Sequence, residues 1–136
     1  MVREIVTDTE FLKKKSQPAG KKDTEIIADL KDTLKANRDR CVGMAANMIG
    51  FSKRIIIFDS GLGQIVMLNP VIVKRSGRYE TEEGCLSLSG VRKTFRYENI
   101  TVRYCSEDFT EKTASYSGFV AQVIQHECDH LDGKLI

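Results

Sequence analysis

The sequence predicts an α+β fold in which antiparallel sheets pack around a central helix late in the chain. One helical pattern comes early, β-prone segments then follow one another, and a second helical pattern closes the sequence. Consecutive strands between two helices favour antiparallel pairing over alternating βαβ units. With 136 residues, the chain is expected to form a single domain, residues 1–136, with its own core.

The early helix is predicted from about Asp23 to Arg38, because apolar residues recur there at helical spacing. These residues are Ile26, Ile27, Leu30 and Leu34. Lys13–Lys15 and Lys21–Lys22 flank a loop that precedes the helix. A basic run could contact nucleic acid such as ribosomal RNA, but for so short a run we favour a solvated loop.

Short β-prone segments follow the early helix. Arg54–Phe58 is the first, and Ile65–Leu68 and Val71–Val73 lie on either side of Asn69 and Pro70. Pro70 has no amide hydrogen to donate, so we expect an edge, a break or a bulge at this position.

The last strands and the last helix follow from two further patterns. Residues 100–104 alternate between apolar and polar, which predicts a half-buried strand, and Phe109–Tyr116 could pair with it. Gly118 precedes a helix predicted from about Phe119 to Leu131. This helix is apolar on most sides, so we expect it to be central and largely buried.

Composition and charge narrow the class of protein. The net charge of +2 and the 29% of charged residues are ordinary, and they demand neither a nucleic acid nor a membrane as partner. No apolar run approaches the length of a signal peptide or a membrane span. Four cysteines in such a chain predict a reducing, cytoplasmic setting and thiols or metal ligands rather than disulfides.

The most informative motif is His126-Glu127-Cys128-Asp129-His130, which contains both histidines of the chain. Residues four apart in a helix lie on one face, so His126 and His130 can direct two imidazoles at one metal ion. Glu127 lies about 100° further round the helix, where its carboxylate can reach a water molecule beside the metal. The motif therefore predicts a metal-dependent hydrolase.

A catalytic metal usually has three protein ligands and one open position. The sequence ends at Ile136, so we expect the third ligand upstream of the motif. Cys128 points about 200° away from His126 and is expected in the core. Cys85 is favoured, because it lies in the polar segment Glu82–Ser87, which we expect to be a flexible connection between strands.

With these residues, the chain resembles the peptide deformylase family. Three segments follow the order of the family motifs, and they are Cys41–Met48, Glu83–Ser87 and Gln125–Leu131. The second and third match fully, whereas the family usually has Gly at Cys41 and Gln at Met48. The resemblance covers essentially the whole chain and implies a peptide deformylase-like fold.

The resemblance implies a metal site and a reaction. Cys85, His126 and His130 would bind one divalent ion, natively Fe²⁺, with Zn²⁺, Ni²⁺ or Co²⁺ as substitutes. Glu127 would act as general base and then as general acid. The partners would be the formyl-methionyl ends of nascent peptides, with the ribosome surface as a further candidate and no membrane or specific nucleic acid.

The resemblance also implies contacts with the substrate. The backbone amide of Leu86 would bind the oxyanion, and Gly43 would pair its backbone with the peptide. Arg92 matches a position that contacts the far end of the peptide, although a solvated charge is the ordinary alternative. Met44 and Met48 could line a pocket for the methionine side chain, although core packing is favoured.

Two carboxylates are candidates to support the site. Glu83 could accept a hydrogen bond from a metal-bound imidazole, and Asp129 could hold the first motif segment or a basic side chain. Ordinary surface positions are the alternative for both.

The replacement of Gln by Met48 leaves several functions open, because a thioether has no proton to donate to an oxyanion. A deformylase with reduced activity or altered specificity is the leading hypothesis. A small metallopeptidase and a non-catalytic, metal-binding paralogue with a regulatory role are the alternatives.

Overall fold

The computed structural model describes residues 1–136 and confirms an α+β fold built on one antiparallel sheet. The helices are α1 (Thr9–Leu12), α2 (Thr24–Ala36) and α3 (Gly118–Leu131), with single 3₁₀ turns at Lys21–Asp23 and Ala46–Ile49. The strands are β1 (Gly43–Ala45), β2 (Ile55–Asp59), β3 (Gln64–Cys85), β4 (Leu88–Cys105) and β5 (Glu111–Ser117). Each strand pairs with the next, so the order in the sheet is β1-β2-β3-β4-β5.

A long hairpin of β3 and β4 is the main feature that the sequence analysis did not predict. The strands contain 22 and 18 residues, and the register shifts at Leu68/Val71, where Pro70 interrupts the pairing as expected. Cys85 is the last residue of β3 rather than part of a flexible connection. Much of the hairpin is exposed on both faces, so its sequence lacks the apolar alternation from which paired strands are predicted.

The core lies between α3, α2 and the sheet. Helix α3 packs against β1, β2, β4 and β5, and α2 covers β1 and β2. Residues Ile55–Phe58 of β2 are fully buried, as expected for a strand covered on both faces. No helix combines the length and the apolar character needed to cross a membrane.

Candidate metal centre

Helix α3 and the end of β3 bring three side chains to one point inside the protein. His126 and His130 lie one turn apart on α3, with their Nε2 atoms 3.0 Å from each other. The Sγ atom of Cys85 lies 3.3 Å from Nε2 of His130. The structure therefore brings together the three residues that the sequence analysis proposes as metal ligands.

The geometry of this cluster fits a small divalent cation. A tetrahedral ion with typical Zn–N and Zn–S bond lengths separates two nitrogen ligands by about 3.3 Å and a nitrogen from a sulfur by about 3.6 Å. The observed separations of 3.0 and 3.3 Å are close to these values. One thiolate and two imidazoles form a donor set that suits iron, zinc, nickel or cobalt.

The two histidines have different electrostatic surroundings. Burial, followed by the nearby charge of His126, lowers the pKa of His130 to about 3, so its imidazole is neutral and able to bind a cation. Burial also disfavours the charged form of His126, but hydrogen bonds to Cys85 and Glu83 outweigh it and raise the pKa of His126 to about 10.

Glu83 contacts the ring of His126 on the side away from the cluster. Its Oε1 lies 2.7 Å from Nδ1 of His126, and Gln122 donates to its Oε2 at 2.9 Å. Burial opposes ionisation of Glu83, but the hydrogen bonds from His126, Arg96 and Gln122 lower its pKa to about 2. Because an ionised carboxylate can only accept, Nδ1 of His126 carries the hydrogen of this contact, and Nε2 faces the cluster, where it would lose its own hydrogen on binding a cation.

Arg96 completes this support and was missed by the sequence analysis. Its guanidinium donates to both oxygens of Glu83, at 2.7 and 3.0 Å, and to Asp129 at 2.7 Å. Asp129 therefore binds a basic side chain, one of the two roles considered for it. Arg96 is 4% exposed while its neighbour Phe95 is 48% exposed, the reverse of what hydrophobic patterning predicts for a strand.

Glu127 is buried between the cluster and β1. One of its carboxylate oxygens, Oε1, has no hydrogen-bond partner within the protein, and burial raises the pKa of Glu127 to about 7. Gly43 of β1 lies against it, because a Cβ atom there would be 3.1 Å from Oε2 of Glu127 and 2.6 Å from Cγ1 of Val123. A glycine at this position therefore allows α3 to approach β1 closely.

A cavity of about 550 Å³ opens beside the cluster, and most of the predicted site residues line it. Its lining includes Gly43, Met48, Cys85, Leu86, His126 and Glu127. His130 lies behind it and is fully buried. Met44 is not among the lining residues and packs in the core, as the sequence analysis favours. Arg92 does not line the cavity either, so the structure does not bring it to the site with the others.

The free edge of β1 forms one wall of this cavity. The amide of Asp59 in β2 donates to the carbonyl of Val42, so by the alternation of an antiparallel pair the backbone groups of Gly43 and Ala45 point away from β2. The amide of Ala45 donates to Sδ of Met48 at 3.5 Å. The thioether of Met48 thus acts as an acceptor for its own segment.

Comparison with known proteins agrees with this site. A family model described as polypeptide deformylase matches residues 2–136. A peptide deformylase of Clostridium beijerinckii is 53% identical over 136 residues, which cover all of both chains. The chain belongs to the polypeptide deformylase family. Peptide deformylase 2 of Clostridium acetobutylicum is 37% identical over 134 residues, which cover 96% of this chain and 89% of that relative.

Solved deformylase structures confirm the expected fold. A peptide deformylase from Legionella pneumophila has a TM-score of 0.88 at 35% identity and covers 99% of this chain and 83% of its own. The enzyme from Thermotoga maritima has a TM-score of 0.89 at 29% identity, with 99% and 95% covered. The resemblance seen in the three motifs is therefore confirmed, and the chain is an enzyme of the deformylase class, a metal-dependent family.

Proposed function

We propose that this deformylase removes the formyl group from formyl-methionine at the start of nascent polypeptides, releasing formate and a free amino terminus. The observation that carries the proposal is the convergence of Cys85, His126 and His130 beside the buried carboxylate of Glu127. These three side chains hold one divalent metal ion, with Fe²⁺ as the native ion. The intact cluster and Glu127 favour catalysis over a purely regulatory role.

The residues of the chain divide the chemistry between them. When bound, the metal ion supplies Lewis acidity and lowers the pKa of water. Glu127 takes the proton of the attacking water and then gives it to the departing amine. Its pKa, raised to about 7 by burial, lies in the range in which a carboxylate can both accept and release a proton at neutral pH.

In this proposal, the substrate binds along the free edge of β1. An extended peptide can add beside an edge strand and pair with the backbone groups that point away from the sheet, here those of Gly43 and the carbonyl of Ala45, whose amide donates to Met48. The amide of Leu86, in the turn after Cys85, donates to the oxyanion. Met48 forms part of an apolar wall for the methionine side chain.

We expect the activity to be lower than that of a deformylase with Gln at the position of Met48. The loss of one oxyanion donor typically slows an enzyme by about 10² to 10³. Met48 accepts a hydrogen bond from Ala45 and has none to give, so Leu86 is left as the oxyanion donor. The lysines of residues 13–15 and 21–22 are exposed, which suits a solvated loop as well as a ribosome contact, and the proposal does not depend on them.

Formate release tests the proposal directly. Protein loaded with Fe²⁺ under anaerobic conditions is mixed with formyl-Met-Ala-Ser, and formate is measured over time. We expect slow release by the unmodified protein and faster release by Met48→Gln. No formate from either protein would overturn the proposal, and cleavage of the unformylated peptide would favour the metallopeptidase alternative.

A further inference from the structure

We infer that Arg40 makes this enzyme prefer substrates with an acidic side chain at the third residue, counting formyl-methionine as the first. The inference rests on the proposed function and adds a specificity residue to it. Arg40 lies between α2 and β1 and lines the rim of the cavity that contains Cys85, His126 and Glu127.

Arg40 is held in place while most of its donors stay free. Its Nη2 donates to Oδ1 of Asn37 at 2.6 Å, and the buried Asn37 is itself anchored through its Nδ2 to the carbonyl of Thr33 at 2.8 Å. The guanidinium carries five donors, and no carboxylate of the protein forms an ion pair with it. Arg40 therefore offers a positioned, unpaired positive charge at the rim.

The separation of Arg40 from β1 points to the third residue of the substrate. Arg40 precedes Gly43 by three residues, so the two Cα atoms are at most about 11 Å apart. A substrate in extended conformation advances about 3.3 Å per residue beside the strand, so its third residue reaches this distance from the formyl end. Side chains of residues one and three share a face, so the third side chain points toward the protein when methionine does.

Glu83 and Glu82, which also line the cavity, are each faced by a cation, so they repel an acidic group less than free carboxylates would. Glu83 is ionised but paired with Arg96 and His126. Glu82, on the opposite rim, faces Lys93 in the register of β3 and β4, which offsets part of its charge.

Arg92 was the cation expected to contact the far end of the peptide. It lies outside the cavity, where its Nη1 donates to the carbonyl of Ser89 at 3.4 Å. Among the residues that line the cavity, Arg40 is the one Lys or Arg.

Three peptides that differ only at the third residue test the inference, namely formyl-Met-Ala-Glu, formyl-Met-Ala-Gln and formyl-Met-Ala-Lys, each amidated at its C-terminus. We expect kcat/KM of the iron-loaded enzyme to be about three- to tenfold higher for Glu than for Lys at low salt, the size expected of an exposed ion pair together with the matching repulsion. The ratio should shrink at high ionic strength because salt screens exposed charges.

Variants assign the preference to one side chain. Arg40→Gln should bring the Glu/Lys ratio to about one, and Arg40→Glu should invert it. Arg38→Gln is the matched control, because Arg38 is exposed, two residues away and outside the cavity, and it should keep the ratio.

Two outcomes overturn the inference. One is an equal rate for the three peptides with the unmodified enzyme, and the other is a ratio that is lost in Arg92→Gln but kept in Arg40→Gln. Hydrolysis of the Gln peptide separates this failure from failure of the proposed function, which would leave all three peptides intact.

Discussion

The two walls of the cavity differ in how their polar groups are satisfied. On the α3 side, Glu83, Arg96 and His126 form a closed set of hydrogen bonds with good geometry. On the β1 side, the side chains of Cys41 and Met48 carry sulfur, and these sulfur atoms contact the backbone of Gly43 and the amide of Ala45, respectively. The wall proposed to hold the metal therefore follows the family pattern, and the wall proposed to bind the formyl group departs from it.

The chemistry of the sulfur atoms explains why this difference matters. Burial, and then the charges of Glu127 and Cys85, raise the pKa of Cys41 to about 11, so Cys41 remains a neutral thiol near pH 7. A thiol is a weak donor and a thioether is none. The β1 wall is thus poor in hydrogen-bond donors for an oxyanion, while the α3 wall keeps Glu127, the proposed general base.

The largest expected effect is on the α3 wall. Glu127→Gln keeps the shape of the side chain but removes its ability to accept a proton, so kcat should fall by about 10² to 10⁴. Formate release and bound metal are measured on the same sample. Metal content should stay unchanged, and wild-type turnover in this variant would remove Glu127 from the mechanism.

Met48→Gln probes the opposite wall and should act in the opposite direction. An amide donor at this position should raise kcat by about 10² to 10³. Met48→Leu is the control, because it keeps the apolar volume without adding a donor and should behave like the wild type. An equal gain in both variants would show that packing, rather than hydrogen bonding, limits the rate.

Arg96→Met tests whether the closed network on the α3 wall serves the metal. Removing the guanidinium leaves Glu83 without its main partner, and the metal affinity should fall by about 10- to 100-fold. Competition with a chelator measures the affinity. Arg78→Met, at an exposed position of β3, is the control and should bind metal normally. Unchanged affinity in Arg96→Met would mean that the network supports only the fold.

The smallest expected effect lies where the two walls meet. Gly43→Ala places a methyl group 2.6 Å from Cγ1 of Val123, and such overpacking should lower the free energy of unfolding by about 1 to 3 kcal/mol. Thermal unfolding measures the change, and adding Val123→Ala should restore part of the stability. Gly20→Ala is the matched control, since no atom lies within 4 Å of the added Cβ. Equal melting temperatures for the two single variants would contradict the close approach of α3 and β1.

The sequence by itself determined the family, the central helix and the residues proposed to bind metal. The periodicity of residues 119–131 predicted α3, and the spacing of His126 and His130 placed both imidazoles on one face. Cys85 could be chosen upstream from its ligand chemistry and its polar surroundings. These features depend on residue type and on short-range spacing, which the sequence displays directly.

Only the tertiary structure decided what surrounds those residues. The burial of Arg96, the exclusion of Arg92 from the cavity and the approach of Arg40 to its rim all depend on segments that are distant in the sequence. The amide of Ala45 donates a hydrogen bond to the thioether of Met48, and no pattern of residue types predicts this contact. A sequence does not show whether a charged residue is paired, because pairing depends on which elements the fold brings into contact.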